Sequence, residues 1–365
     1  MLIYLYGKKK IGKLPHVYVI ALILLCVIIG VLFVINRPKN SEEMSQIDSS
    51  EKNEWPEKYF FGEEDREKFP AISKPKYVDS SIASQFLTDS ENVYIFEAGG
   101  KRYVYPEKVL AFHHIVNDII NDTPVAVTLC LLTDSAGVYK REIDGSTLIF
   151  GTLAILYNGN LVMFDDKTDS YWLQLTGDAI KGRLRGNRLE SFARIDYAKW
   201  GKIKNLPQLK ILPPVKDMPF YENFYKLSMK SNLGLFAIGK QEVPKTYSEY
   251  TQGLGIKIGD EAKFYKLETI HGERVIEDEV GNWSLLLVSD EVTGAAKIFR
   301  RAIDNRILTF KKSGIYLQDD QTKSKWNMDG VAIDGKLKGK SLKSPFYMKV
   351  YWFAWWALFP STMNY

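Results

Sequence analysis

One cysteine and two adjacent histidines in the main part of this sequence are the side chains best suited to nucleophilic chemistry or to binding a soft metal ion. Cys130 ends an apolar run, and His113 and His114 precede it in the chain. A thiolate is a nucleophile when an imidazole lowers its pKa or accepts its proton, and both groups bind transition metals. A cysteine in this position can equally be a small core residue. Neighbouring residues of a strand point to opposite faces, so at most one histidine could face Cys130.

Four further polar residues could orient a small ligand. Asn117 and Asp118 follow the histidines, whereas Gln174 and Thr176 follow Trp172. Amide and hydroxyl groups supply the uncharged donors and acceptors that fix a ligand in a pocket. The alternatives are that Asp118 forms a turn and that Gln174 and Thr176 satisfy backbone groups beside Trp172. We predict that any site groups the following residues, with Asp118 as a further ligand-binding residue: His113, Asn117, Cys130, Gln174 and Thr176.

The sequence lacks several well-known catalytic and ion-binding motifs. It has no phosphate-binding loop, no zinc-protease helix motif and no Gly-x-Ser-x-Gly turn. Asp165, Asp166 and Asp169 could bind a cation, but their spacing differs from that of an EF-hand loop. A transition metal held by Cys130 and His113 is therefore the one cofactor that we consider.

The uneven distribution of basic residues argues against nucleic-acid binding. The formal net charge is +5, yet residues 1–40 contain six basic residues and no acidic one. The rest of the chain therefore has nearly equal numbers of acidic and basic residues, without the basic stripe that binds nucleic acid. The excess charge lies where it can meet anionic lipid headgroups. The six basic residues are Lys8, Lys9, Lys10, Lys13, Arg37 and Lys39.

An apolar run near the N-terminus predicts a membrane anchor. Residues 17–35 carry no charge, and a helix of this length spans about 28 Å, close to the hydrocarbon thickness of a bilayer. A buried core helix would have a polar face, and a cleaved signal peptide has a shorter apolar region that ends in small residues. The lysine bias predicts a single-pass protein of the cell membrane, with residues 1–16 as a cytoplasmic tail and the main domain outside the cytoplasm. Residues 36–58, which are rich in Ser, Glu, Lys and Asn, predict a solvated tether.

Internal sequence similarity indicates that the main domain is duplicated. Residues 99–150 align with 259–310 at a constant offset of 160, and only two small changes of register follow. The shared positions are mostly turn glycines, turn aspartates and large apolar residues, which set backbone geometry and core packing. We predict a β-rich first copy at 59–207, a connecting segment at 208–249 and a β-rich second copy at 250–365.

The two copies differ at positions that matter for chemistry. Glu273 and Arg274 align with the two histidines, and Asp290 aligns with Cys130. The turn and core positions agree, whereas the thiol and imidazole groups at these positions occur only in the first copy. Any site that uses them is therefore expected in the first copy.

Local patterns predict a mainly β fold, α+β with few helices. Residues 125–132 form a continuous apolar run, which is typical of a buried strand. Asp144 and Gly145 separate two strand-like runs, as do Asn158 and Gly159, and such pairs are typical of hairpin turns. The second hairpin could form a wall of a ligand pocket.

Helices are predicted at the ends of the two copies, at residues 191–205 and 348–358. The second helix belongs to an aromatic cluster. We expect that cluster to close the core, because the apolar run is too short for a second membrane span. The aromatic residues are Trp352, Phe353, Trp355, Trp356 and Phe359.

Several segments together resemble the domain-of-unknown-function 3179 family. The resemblance covers about residues 90–365, and its most specific string is Trp-Leu-Gln-Leu-Thr-Gly from Trp172 to Gly177. The segments that carry it are Tyr105 with Pro106, residues 113–118, residues 124–128 with Cys130, residues 161–182, and the closing Phe353, Ala354, Trp355, Phe359 and Pro360.

This chain departs from the family pattern at two informative positions. Family members are similar in having a Cys-Pro-Leu-Cys step, where this chain has Cys-Leu-Leu-Thr from Cys130 to Thr133. They usually have Glu where this chain has His114. The missing second thiol places in doubt a two-thiol metal site or thiol–disulfide chemistry. Since His113 matches the family position, the resemblance favours His113 as the partner of Cys130.

Two classes of function are compatible with these observations. The first is an extracytoplasmic binding or interaction module for a small ligand or an envelope component. The alternative is an extracytoplasmic enzyme or metal-binding protein that uses Cys130 and His113. The absence of a recognisable catalytic constellation favours the binding module.

Overall fold

The structure is a computed structural model that describes residues 60–215, 218–229, 231–239 and 241–365. The predicted tail, anchor and tether, at residues 1–58, lie outside the described residues. None of the helices within the described ranges is long and apolar enough to cross a membrane. The described residues all belong to one compact unit.

Strands dominate the described chain, which confirms the mainly β class. Its first half begins with β1 and ends with β16. The elements are β1 Phe60–Phe61, β2 Ile72–Ser73, α1 Ser80–Ala83, β3 Asn92–Ala98, β4 Lys101–Pro106, α2 Glu107–His113, β5 Ile115–Ile120, β6 Thr123–Cys130, β7 Ser135–Lys140, β8 Glu142–Ile143, β9 Ser146–Thr147, β10 Phe150–Tyr157, β11 Asn160–Asp165, β12 Tyr171–Leu173, β13 Ala179–Lys181, β14 Ser191–Ala193, β15 Asp196–Lys199, α3 Trp200–Ile203 and β16 Leu209–Ile211.

Two helices connect this half to the second, which again consists mainly of strands. The connecting helices are α4 Met218–Met229 and α5 Leu233–Ala237. The second half contains β17 Gln252–Ile258, β18 Glu261–Lys266, α6 Leu267–Glu273, β19 Val275–Val280, β20 Trp283–Ser289, β21 Ala296–Arg300, β22 Ala302–Ile303, β23 Arg306–Ile307, β24 Phe310–Ser313, β25 Tyr316–Asp319, β26 Lys325–Trp326, β27 Ala332–Asp334, β28 Tyr347–Tyr351, α7 Trp352–Leu358 and β29 Met363–Asn364.

The sheets of each half are small and follow the chain order closely. The first half has sheets of order β15-β3-β4-β16, β14-β7-β6-β5-β2 and β1-β10-β11-β12-β13. The second half has sheets of order β28-β17-β18-β29, β19-β20-β21 and β24-β25-β26-β27. Each half passes through a hairpin, a seven-residue helix, three antiparallel strands, a short hairpin and a further sheet.

The hairpin turns predicted from the sequence are confirmed. Asp144 and Gly145 join β8 to β9 with φ angles of 48° and 72°. Asn158 and Gly159 join β10 to β11 with φ angles of 48° and 79°. Positive φ at both central residues matches the right-handed twist of the flanking strands. In the second half, Asp304 has a φ of 47° at the turn between β22 and β23.

A tryptophan–aspartate pair stabilises the corresponding loop of each half. Trp172 donates its indole N–H to Asp165 at 3.0 Å, and Trp326 donates to Asp319 at 3.0 Å. Asp165 also accepts from the hydroxyl of Thr168 at 2.6 Å. The Asp165 carboxylate is therefore occupied by its own loop, and the structure gives no support for the cation site considered there.

The helix prediction at residues 191–205 is wrong for most of its length. These residues form β14, β15 and the four-residue helix α3. β15 pairs antiparallel with β3, where Asp196 lies opposite Ile95, and sheet pairing of this kind overrides local helix propensity. The helix predicted at 348–358 begins only at Trp352, because the preceding residues pair with β17 as part of β28.

The prediction that residues 125–132 form a buried strand is confirmed up to Cys130, where β6 ends. Three of the five rings of the closing aromatic cluster are buried, whereas Trp356 and Phe359 are half-buried. Trp352, Phe353 and Trp355 are each no more than 3% exposed and belong to the largest core cluster. The rings therefore close the core.

Candidate functional site

Cys130 lies at the end of β6 and is only 2% exposed. The Thr133 hydroxyl donates to the Cys130 carbonyl at 3.4 Å. Burial raises the pKa of the thiol, and it outweighs the polar groups of Thr133, Leu161 and Leu132 near the sulfur, which act to lower that pKa. Cys130 is therefore a neutral thiol near pH 7, which is unfavourable for nucleophilic attack.

The two histidines occupy different environments because α2 ends between them. His113, the last residue of α2, contacts the Pro70 carbonyl at 2.6 Å and the Tyr221 hydroxyl at 2.8 Å. His114 has a φ of 58°, and its Nδ1 lies 3.1 Å from the Leu129 carbonyl oxygen. Burial lowers the pKa of His114 to about 4, so its ring is neutral at physiological pH.

His114, rather than His113, lines a cavity together with Cys130. This cavity measures about 180 Å³, and its walls are mostly apolar. The preference for His113 followed from its match to the family position, and the expectation that only one histidine could face Cys130 assumed a strand. His113 instead ends a helix, and its ring contacts α4. The side chains of His114 and Cys130 converge on the cavity from α2 and β6.

The remaining residues of the predicted site have separate, structural contacts. Asn117 donates to the Phe150 carbonyl at 2.8 Å and accepts from the Phe150 N–H at 2.9 Å, which joins β5 to β10. Asp118 accepts from the hydroxyl of Tyr77 at 2.5 Å and from the backbone N–H of Ile119 at 2.7 Å. These contacts occupy the polar atoms that would otherwise bind a ligand.

Gln174 is fully buried in a hydrogen-bonded network rather than in a cleft. Its amide oxygen accepts from Ser135 at 2.8 Å and from Asn160 at 3.0 Å, and its nitrogen donates to Thr128 at 3.0 Å. Thr176 accepts from the Asp178 N–H in a turn at 3.3 Å. Both residues thus satisfy neighbouring polar groups, which was the alternative interpretation of the sequence.

A different group of polar residues converges from seven elements, and we call it the carboxylate–tyrosine cluster. Its members come from β3, α2, the turn after β6, β15, α4, β17 and β28. A convergence of titratable groups from distant parts of a chain is typical of functional sites. The members are Asn92, Tyr94, Glu107, Asp134, Tyr197, Tyr225, Gln252, Lys349 and Tyr351.

Glu107 is the most perturbed acid of the cluster. Its carboxylate accepts from Asn92 at 2.8 Å and from the Tyr225 hydroxyl of α4 at 2.5 Å. It is 4% exposed, and burial raises its pKa above the ordinary value. A buried carboxyl of raised pKa beside a hydroxyl donor has features of a group that gives or takes a proton.

Asp134, the second acid of the cluster, contacts residues of the second half of the chain. Lys349 of β28 contacts both carboxylate oxygens of Asp134, and Gln252 of β17 donates to one of them at 2.6 Å. The Lys349 ammonium also lies 4.0 Å from the ring centroid of Tyr197. Asp134 has a φ of 55°, and these contacts offset the cost of that conformation.

A cavity of about 410 Å³ lies against this cluster and is lined mainly by polar residues. Gln252, Tyr250 and Tyr351 form one wall. The opposite wall includes Ser228 of α4 and Ser231 after it, and both residues also line the cavity that holds Cys130 and His114. The two cavities also share Leu131 and Leu132. The two cavities therefore share part of their lining beside α4, and one is lined mainly by polar residues whereas the other is mostly apolar.

Our sequence reasoning missed the carboxylate–tyrosine cluster, although the offset of 160 contains a clue to it. Glu107 corresponds to Leu267 at that offset, and Asp134 corresponds to Gly294. At these two positions the first half has a carboxylate, whereas the second half has an apolar side chain or a glycine. Such a difference indicates a role beyond packing. Convergence with Lys349 could not be read from the sequence because it depends on tertiary contacts.

A second charged group, of two cations and three carboxylates, joins the chain around β15 to the second half. The ammonium of Lys297 lies 3.1 Å from Asp290 and 2.8 Å from Asp329. Arg194 binds Asp196 through two contacts, at 2.9 and 3.0 Å. Burial acts to lower the pKa of Lys297, but the carboxylates outweigh it and raise that pKa. These mutual contacts indicate a structural role.

Within the described ranges, no three His, Cys, Asp or Glu side chains are grouped so that they could hold a metal ion. The sequence model of a family described as "Protein of unknown function (DUF3179)" matches residues 66–362. Comparison with curated proteins and with solved structures gave no match. The family match extends over both halves and includes the candidate site, so this chain belongs to the DUF3179 family of proteins of unknown function.

Proposed function

We propose that this chain is a membrane-anchored extracytoplasmic binding protein that holds a small molecule in the two adjoining cavities beneath α4. The observation that carries the proposal is that the two cavities share part of their lining, which we call the shared wall. One cavity is polar and measures about 410 Å³, and the other is apolar and measures about 180 Å³. Together they are large enough for a small molecule, and ligand sites combine apolar walls with a few fixed polar groups in this way. Residues 17–35 supply the anchor in this proposal.

The polar end favours a ligand part with hydrogen-bonding groups. Tyr250, Tyr351 and Gln252 line this end, and Gln252 is held by its donation to Asp134 at 2.6 Å. A side chain fixed by a neighbouring carboxylate loses little freedom when it binds a ligand. The preorganised polar wall therefore supports recognition of a polar group.

The apolar end favours an uncharged ligand part. Phe69, Leu156 and Leu161 line it, and the Cys130 thiol and the His114 imidazole are neutral near pH 7. The only charged residue among the described residues of its lining, Lys68, is exposed to solvent. A buried charge without a partner would be costly in such surroundings. The proposed ligand is therefore amphipathic, with a compact apolar part and a polar part.

Internal duplication of the domain is part of the same proposal. The matched succession of elements, the turns at Asp144 and Asp304, and the Trp172 and Trp326 loops support it. After a duplication, one copy can retain the architecture while the other changes chemically. The candidate site takes most of its acidic and aromatic groups from the first half.

Catalysis at Glu107 is the second candidate function. Its raised pKa and its contact with Tyr225 are features of a general acid or base. The enzyme suggested by the sequence, with Cys130 and His113 as partners, has less support because the Cys130 thiol has a raised pKa and His113 contacts Pro70 and Tyr221. Binding is therefore preferred.

The binding proposal can be tested by ligand enrichment. The full chain in lipid nanodiscs would be incubated with a small-molecule extract of cells, and the retained molecules identified by mass spectrometry. In Ser228→Phe, the added ring would project from the shared wall and fill cavity space. Ser81→Phe places the same ring on the exposed surface of α1. We expect at least one mass to be enriched by the wild type and by Ser81→Phe but not by Ser228→Phe. Enrichment by none, or equal enrichment by all three, would contradict the proposal.

A further inference from the structure

We propose that the outer face of α4 and α5 docks on the surface of a lipid bilayer. The proposal rests on the membrane anchor of the proposed function, and its surface adjoins the ligand site at Leu233, which also lines the cavity that holds Cys130. The surface consists of four large apolar residues of the two helices, and we call it the α4–α5 face: Phe220, Leu227, Leu233 and Phe236.

The exposure of this surface is concentrated in a short stretch of chain. Leu227 is 72% exposed and Phe236 is 69% exposed, and these are the highest values among the large apolar side chains of the described residues. The other exposed apolar side chains belong to separate strands and loops and to the short helix α1. Single exposed apolar residues need no explanation, whereas a cluster on one element indicates an interaction surface.

α4 has two faces with different partners. Its inner face carries Tyr221, which is fully buried, and Tyr225, which contacts Glu107. Its outer face carries Phe220 and Leu227, which are seven residues apart and so lie on one side of the helix. The inner face is thus packed on the candidate site. The outer face is exposed at Leu227, although Phe220 also packs on Phe112 with ring centroids 4.7 Å apart, so this face can take a further apolar partner.

The position of the chain entry favours a bilayer as that partner. Phe236 of α5 packs against Phe61 of β1, with ring centroids 5.5 Å apart. β1 is the first described strand, and the chain ahead of it contains the apolar run at 17–35. At about 3.5 Å per residue, segment 36–58 can reach no farther than about 80 Å. The α4–α5 face therefore includes a residue that packs on the strand at which the preceding chain enters the described domain.

The composition of the face also suits the interfacial region. Phenylalanine and leucine side chains insert at the boundary between headgroups and acyl chains. The nearby ammonium of Lys226 is paired with Glu222 at 3.1 Å, so the face has little net charge. Docking would thus depend mainly on apolar contact. It would place α4, which lies over the candidate site, at the lipid surface.

Photo-crosslinking in the full chain tests this proposal. The photoreactive amino acid p-benzoylphenylalanine would replace Leu227 or Phe236, and the chain would be reconstituted in phosphatidylcholine vesicles. Matched controls would place it at Ile119 or Ile307, which are 61% and 52% exposed outside the α4–α5 face. We expect several-fold more lipid adduct at Leu227 and Phe236 than at either control. Equal yields, or a predominant chain–chain adduct at the two helix positions, would overturn the proposal.

An alkaline carbonate wash after illumination separates this proposal from the anchor. Retention of the chain in the vesicles supports the anchor, and extraction contradicts it. The adducts form before the wash, so their distribution decides the docking of the α4–α5 face in either case.

Discussion

Asp134 and Lys349 form a buried ion pair that joins the turn after β6 to β28, across the two halves of the chain. Their side chains are only 5% and 13% exposed, and Lys349 contacts both carboxylate oxygens. Because one partner comes from each half, the candidate site depends on the association of the halves. The pair also holds the polar wall of the larger cavity through Gln252.

Removal of Lys349 should destabilise the fold strongly. Lys349→Met leaves the Asp134 carboxylate buried without its cation, and loss of one partner of such a pair costs about 3–5 kcal/mol. Urea unfolding followed by fluorescence would measure the change in the free energy of unfolding. Lys340→Met, at an exposed pair with Asp304, should cost less than about 1 kcal/mol. Similar losses for the two variants would show that the buried pair has no special importance.

Stability should decrease with rising pH because of Glu107. Its pKa in the folded protein lies above the ordinary value of 4.5, so the folded state retains a proton that the unfolded state has lost. This contribution to the free energy of unfolding is complete below about pH 4.5 and is lost as the pH rises through the raised pKa. Glu107→Gln stays neutral and should gain stability relative to the wild type over that window. Measurement of the free energy of unfolding at a series of pH values would show this gain. If the free energies of the wild type and of Glu107→Gln changed in parallel with pH, the raised pKa of Glu107 would be refuted.

The network around Gln174 should be needed for stability rather than for binding. Gln174→Met removes the partners of Ser135, Asn160 and Thr128, and unsatisfied buried groups cost about 1–3 kcal/mol each. The free energy of unfolding should therefore fall by several kcal/mol at most, with ligand enrichment unchanged in the folded fraction. Gln318→Met, at an exposed position, is the control. Lost enrichment in a fully folded Gln174→Met chain would restore Gln174 as a binding residue.

Cys130 should react slowly with thiol reagents. Its thiol is 2% exposed and has a raised pKa, so little thiolate is available to attack. In a Cys26→Ser background, iodoacetamide should label the folded chain far more slowly at pH 7.5 than the urea-unfolded chain. Mass spectrometry over time gives both rates. Comparable rates would indicate an accessible, activated thiol and would favour the catalytic alternative.

The features that local chemistry decides could be predicted from the sequence. The turns at Asn158 and Asp144 follow from residues that tolerate positive φ, and β6 follows from its apolar run. The helix expected at 191–205 fails because β15 finds a partner in β3, which is distant in sequence. The local sequence pattern therefore predicted β6 and the two turns correctly. At the end of the first half, long-range strand pairing determined the structure instead.

The candidate site could be predicted only in part, for the same reason. Cys130 does line a cavity, but its neighbour there is His114, because α2 continues to His113 and then turns sharply. The alternation of side chains along a strand does not apply at such a boundary. Glu107, Asp134 and Lys349 gave no motif, since their proximity arises only from packing of the two halves.

Hydrogen–deuterium exchange of the wild-type full chain, with and without the small-molecule extract, tests the central claim most directly. A ligand in the adjoining cavities would slow amide exchange in two segments that line both of them, at 130–133 and 224–232. We predict such protection in the wild type and in Ser81→Phe, and none in Ser228→Phe. Unchanged exchange in both segments, or protection confined to other parts of the chain, would contradict the account.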